Sequence, residues 1–195
     1  METEHPMTEK ESLLVIQQMI TATKKGINED GYLYLLWGWL VLFATLGHYV
    51  LMTFTDFKYP FITWMSMPVA GVIAGIYFSS RTKKRRVKTY VDEFMTYLWG
   101  GFLVSIMLML LVMPKVGMDK VYPVLILFYG IGTFASGGAL RFRPLIIGGA
   151  LNWPIALAAF FAPFQQQLLL LGLAVICSYI VPGYLLRANF KRQNV

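Results

Sequence analysis

Residues 32–54, YLYLLWGWLVLFATLGHYVLMTF, contain no Asp, Glu, Lys or Arg. A helix needs roughly 20 apolar residues to cross a bilayer about 30 Å thick, and this stretch has that length. Five more stretches without these charged residues follow: Pro60–Ser79, Phe94–Met113, Val121–Leu140, Pro144–Ala162 and Gln167–Leu186. None alternates apolar and polar residues with the period of two that a membrane barrel requires. Inside lipid, each segment must satisfy its own backbone hydrogen bonds, so the runs read as helices. The expected fold is an all-α membrane protein of six transmembrane helices.

Composition supports that class. The 195 residues are 57% hydrophobic and 14% charged, whereas a soluble domain carries about a quarter charged residues. The net charge of +7 could indicate nucleic acid, but its placement points to topology. With the N-terminus in the cytoplasm, the inner segments hold Lys10, Lys24, Lys25, Arg81, Lys83, Lys84, Arg85, Arg86, Lys88, Arg141, Arg143, Arg187, Lys191 and Arg192. The outer loops hold only Lys58, Lys115 and Lys120. This bias is the positive-inside rule, and an even number of spans puts both termini in the cytoplasm. The expected location is the cell inner membrane, with lipids as partners and no nucleic acid. The first dozen residues carry Glu2, Glu4, Glu9 and Glu11 and no basic n-region, so insertion is expected to begin at the first span.

Three regions follow from this layout: a cytoplasmic segment 1–31, a membrane domain 32–186 and a basic tail 187–195. In the first, Thr8 and Glu11 fit a capping box. Leu13, Ile16, Ile20 and Thr23 then keep helical spacing. Lys24 and Lys25 suit the helix C-terminus, and Gly26 can stop it. An amphipathic helix over 8–25 is expected, either lying at the headgroups or docking to a cytoplasmic protein or a second copy.

The chain repeats itself at an offset of 63. Glu29-Asp30, Tyr34-Leu35 and Gly38 return as Asp92-Glu93, Tyr97-Leu98 and Gly101, while Asp56, Tyr59 and Pro60 return as Asp119, Tyr122 and Pro123. Spans 1–2 and 3–4 therefore read as two copies of one hairpin, with spans 5–6 as a third. Pro at a helix start loses nothing, because its missing N–H would be an orphan. The D-x-x-Y-P motif is thus expected to form the outer turn that feeds spans 2 and 4.

Few residues could carry chemistry. Asn152-Trp153-Pro154 falls in the middle of span 5. Pro154 cannot donate to the helix and crowds the carbonyl of Ala150, and a broken helix at mid-depth is one way transporters build a site. The alternative is a kink with one interhelical hydrogen bond from Asn152. His48 is the one readily titratable group in the spans, and intramembrane ionisable residues are functional hypotheses by default. A neutral imidazole bonded to a neighbouring helix is its plainer reading. Arg81, Lys83, Lys84, Arg85, Arg86 and Lys88 form a basic loop suited to anionic headgroups or to simple anchoring. Gly71-x-x-x-Gly75 and Gly132-x-x-x-Ser136 are small-xxx-small patterns that let helices approach closely.

Catalytic triads, H-E-x-x-H sites, aspartate pairs and phosphate-binding loops are missing from the sequence, and no cofactor or metal is expected. Cys177 is the only cysteine and reads as a small apolar filler. From Thr8 through Trp39, with Glu11-Ser12-Leu13, Ile16, Met19-Ile20 and Tyr34 to Trp39, the chain resembles small uncharacterised bacterial inner-membrane proteins. That resemblance implies class and origin and carries no activity. The expected role is a non-enzymatic regulatory or accessory subunit acting through protein or lipid contacts. The alternative is a small uncharged-solute transporter or channel using Asn152, Trp153, Pro154 and His48.

The topology is testable with reporters. A phosphatase that works only outside the cytoplasm should be active when inserted after Lys120 and inactive when fused to Val195; the opposite pattern would invert the assignment.

Overall fold

A computed structural model describes residues 31–84 and 90–193. Each of the six stretches forms a helix long and apolar enough to cross a membrane. α1 (Tyr32–Phe54) has the expected bounds. A 3₁₀ turn (Pro60–Met65) opens the second span and leads into α2 (Ser66–Lys84). α3 (Tyr90–Val116), α4 (Met118–Ala139) and α5 (Arg143–Phe161) follow. The sixth span starts as α6 (Phe164–Val175), passes through a π turn (Ile176–Ile180) and ends as α7 (Val181–Gln193). Among the described residues there are no strands. The expected helix over 8–25 lies outside the described residues, as do Arg85, Arg86 and Lys88, while Arg81, Lys83 and Lys84 fall in the last turns of α2.

Helix ends follow local chemistry. Asp92 and Glu93 sit in the first turn of α3, where a carboxylate faces the positive end of the helix dipole. Gly117 alone separates α3 from α4, with φ +95°, a conformation that costs an ordinary L residue dearly. Gln167 lies one turn into α6, and its Nε2 donates to the carbonyl of Ala162 at 3.0 Å, meeting an acceptor that the end of α5 leaves free.

One expectation needs correction. Pro60 does begin its helical segment, but Pro123 is the sixth residue of α4 and buried. Gly117 already turns the chain, so α4 starts at Met118 and Pro123 falls inside it. Of the two readings of the fifth span, the broken helix is not the one seen: α5 continues through Pro154. The irregular turn lies in the sixth span, just before Pro182. A proline ring crowds the carbonyl four residues back, here that of Ser178. The backbone widens there, and Val181 N–H reaches the carbonyl of Ile176.

The core is built from α1, α4, α5 and the sixth span. α4 and α5 form the closest pair. A Cβ added to Gly137 would sit 2.6 Å from the backbone N of Ile146, and one on Gly149 would strike the backbone of Phe134. α2 and α3 lie outside this core. None of the apolar window of α3 is buried and only 6% of the second span's, against 61% of α4's. α3 leans on the core by one stripe, Met95, Trp99, Phe102, Ile106, Met109 and Met113, spaced alternately by four and three residues as a single helix face requires. No Cα of α2 lies within 8 Å of any Cα of α3 among the described residues, although the two helices are consecutive.

A large side chain at Gly137 must push α4 and α5 apart. Gly137→Leu should destabilise the protein by about 1–3 kcal/mol, the usual cost of overpacking, whereas Gly138→Leu, with nothing within 4 Å of its Cβ position, should leave thermal stability in detergent unchanged. Equal melting of the two variants would contradict this packing.

Candidate functional site

The structure separates the residues that the sequence grouped. His48 is 4% exposed and lies in the half of α1 nearer Phe54. The Nε1–H of Trp64, from the 3₁₀ turn, donates to its Nδ1 at 3.0 Å. The hydroxyl of Tyr122 on α4 lies 3.2 Å from the same nitrogen. Phe164 at the start of α6 stands edge-on, with centroids 6.1 Å apart, and Tyr122 lies 5.4 Å from Phe164 and 6.0 Å from Trp64. Four segments thus meet at one imidazole. An indole N–H only donates, so Nδ1 is the acceptor and the neutral ring carries its proton on Nε2.

Asn152 is fully buried near the middle of α5. Its amide lies against the π turn. In the orientation that satisfies every atom, Nδ2 donates to the carbonyl of Ala174 at 3.1 Å, and Oδ1 accepts from Ser178 Oγ at 3.1 Å and from Gly130 N–H at 3.2 Å. Ser178 in turn lies 2.7 Å from the carbonyl of Ala174. Asn152 therefore ties α4, α5 and the sixth span together. Tyr122 and Gly130 are eight residues apart on α4, about 12 Å along its axis, so His48 and Asn152 belong to different levels of the bundle.

The other two members of the tripeptide face outward. Trp153 is 41% exposed and packs on Phe134 with centroids 5.1 Å apart, and Pro154 is exposed. The ring of Pro154 thus sits away from the bundle interior.

A third cluster escapes sequence reading. Tyr34 on α1, Trp99 and Phe102 on α3, Tyr129 on α4 and Tyr179 on the π turn pack ring against ring, with centroids 5.1–6.2 Å apart. Rings this close fill the space between them. The Tyr179 hydroxyl and the Gln167 Oε1 are buried without a hydrogen-bond partner. The available signal was spacing: Tyr34 lies in the Y-L-L-W-G-W run, and Trp99 and Phe102 lie one turn apart. Which neighbours they would meet depends on helix order around the bundle.

An open apolar hollow of about 320 Å³ lies on the α3–α4 seam, between Ser105, Leu108, Met109, Val112 and Phe128. Polar groups near it are spent locally, as when Ser105 Oγ donates to the carbonyl of Gly101 at 2.8 Å.

Comparison with protein-family models, curated protein sequences and solved structures returns no match.

Asn152→Leu keeps the volume but removes the amide. It leaves Gly130 N–H and Ser178 without that partner, and interhelical hydrogen bonds in membranes are worth about 1 kcal/mol. The variant should lose about 1–2 kcal/mol of stability in unfolding titrations. Unaltered stability would mean that the amide does not tie the three helices.

Proposed function

We propose that this chain is a multi-pass inner-membrane protein that works by contact, a non-enzymatic regulatory or accessory subunit. In this reading both termini face the cytoplasm, as the lysine and arginine bias favours. The observation that carries the role is the division between a closed four-helix core and two flanking helices. The buried polar side chains Asn152, Ser178, Thr133 and Ser136 hydrogen-bond to backbone or to one another. Four buried polar side chains that answer the backbone or each other suit a core that holds a shape.

The flanks are suited to meeting another membrane helix. On α2, Val69, Val72 and Ile76 are exposed beside Gly71 and Gly75, and no atom lies within 4 Å of a Cβ placed on either glycine. Small residues four apart let a second helix backbone come close, and association in lipid depends on that close packing. On α3, Leu103, Val104, Leu108 and Leu111 turn outward. The basic loop of Arg81, Lys83, Lys84, Arg85, Arg86 and Lys88 and the amphipathic segment 8–25 would add contacts with headgroups or a protein at the cytoplasmic side. The alternative of a small-solute carrier would use Asn152, Trp153, Pro154 and His48 together. Their separation, and the full use of the Asn152 amide, favour the contact reading.

Co-purification in mild detergent tests this. Wild-type protein should retain a defined membrane polypeptide or a second copy. Gly71→Ile with Gly75→Ile should lose it at least tenfold, while the outward Leu157→Ala should keep it. A partner set that is the same in all three preparations, or an isolated wild-type monomer, would contradict the proposal.

A further inference from the structure

α3 meets α4 at two levels and stands off between them. At one end Gly117 alone joins the helices, and its N–H donates to the carbonyl of Met113 at 3.0 Å. Nearer the other end, a Cβ on Gly132 would lie 3.5 Å from the Trp99 ring and 3.6 Å from that of Phe102. Between these levels the seam opens into the apolar hollow of about 320 Å³, with Ser105, Leu108, Met109 and Val112 on one wall and Phe128 on the other. Gly101, one turn before Ser105, has nothing within 4 Å of a Cβ placed on it. Gly101, Ser105, Leu108 and Val112 are spaced by four, three and four residues, which puts them on one helix face. A trough thus runs along α3 for about 16 Å.

The shape selects the occupant. A second helix is about 10 Å across with its side chains, so the length facing Ser105 to Val112 would need roughly 800 Å³. The hollow has less than half of that volume. A single acyl chain is narrow and flexible enough to follow the trough. There it meets side chains of two helices, and each contact adds dispersion attraction.

The trough also has a charged head. Lys115 lies in the last turn of α3 and is exposed. It is three residues past Val112 and seven past Leu108, on the same edge of the helix. Asp119, the acid that follows it in sequence, pairs with Lys120 at 2.8 Å. Among the described residues, no carboxylate pairs with Lys115. Its ammonium offers three donors on a flexible stem. A phosphate bound there sits about 5 Å beyond Val112 along the axis, where a headgroup belongs when its chain points into the hydrocarbon.

We propose that the α3–α4 seam binds one anionic phospholipid, with an acyl chain lying in the trough over Phe128 and the headgroup phosphate paired with Lys115. The chain bridges α3 and α4 at the level where the two helices stand apart. In the orientation proposed above, the lipid belongs to the outer leaflet. The site uses the side of α3 next to α4 and no residue of the α2 glycine face, so it stands whatever membrane helix that face meets.

Native mass spectrometry of the delipidated full chain in detergent tests this, with dioleoyl phosphatidylglycerol and dioleoyl phosphatidylcholine added at equal concentrations. The wild type should retain one phosphatidylglycerol, about fivefold more often than phosphatidylcholine, the ratio that one lysine at the headgroups provides. Glycerol phosphate, the headgroup without chains, should not be retained. Lys115→Gln should bring phosphatidylglycerol down to the phosphatidylcholine level. Lys191→Gln, in the last turn of α7 at the opposite end of the bundle, should leave retention unchanged. Ser105→Phe fills the trough and should abolish retention of both lipids. Equal retention of the two lipids by the wild type overturns the proposal, as does wild-type retention of phosphatidylglycerol by Lys115→Gln or by Ser105→Phe. Retention of glycerol phosphate, or an equal loss in Lys191→Gln, also overturns it. Lys115→Gln changes an exposed helix end and leaves the packing intact, so it decides the headgroup contact even where Ser105→Phe lowers the melting temperature.

Discussion

Backbone contact between α4 and α5 is the constraint on which the rest of the structure depends. In lipid, burying apolar side chains brings helices together with little drive, because the surrounding tails are as apolar as the side chains. What remains is packing and a few hydrogen bonds. Gly137 meets the backbone at Ile146, and Gly149 meets that at Phe134, so α4 and α5 touch over much of their length. Gly148 brings α5 equally close to the carbonyl of Cys177 in the π turn. That approach sets Asn152 against Ser178 and Ala174 and fixes Tyr129 beside Tyr179. α1 then closes the core, with Gly38 under Ile180 and Thr45 Oγ1 at 3.4 Å from the carbonyl of Leu168.

The second span and α3 depend on that core without belonging to it. One is held through His48 and Thr63, the other through its Met95–Met113 stripe. Exposed apolar flanks around a packed core suit a protein that acts on a neighbour in the membrane. The same division gives His48 its place: it is the meeting point of core and flank.

The six spans were legible because lipid tolerates so few residue types. α1 matches its uncharged run end to end. α3 exceeds the expected 94–113 because a helix need not stop where the charges begin, and Asp92, Glu93 and Lys115 fit its ends. Similarity at the offset of 63 does not extend to the surroundings of the paired residues. Paired residues occupy opposite surroundings: Tyr34 is buried and Tyr97 is 74% exposed, Tyr59 is exposed and Tyr122 is buried. At the offset of 63, the stripe by which α3 packs corresponds to Tyr32, Leu36, Trp39, Phe43, Leu46 and Val50. All but Leu36 are exposed on α1. The two helices turn opposite faces inward, which local similarity cannot reveal when every face is apolar. His48 and Asn152 were identifiable as polar groups in apolar runs. Their partners Trp64, Tyr122 and Ser178 come from other helices, and nothing local to either residue names them.

Lipid accessibility of single cysteines placed along α3 and α4, in the purified protein reconstituted in bilayers, tests the division of core from flank most directly. α3 should alternate, with 95, 99, 102, 106, 109 and 113 protected and 97, 104, 108 and 111 open to lipid. α4 should be protected at 121, 122, 125, 126, 129, 133 and 136. Uniform protection along α3, or an α4 as open to lipid as α3, would contradict the architecture.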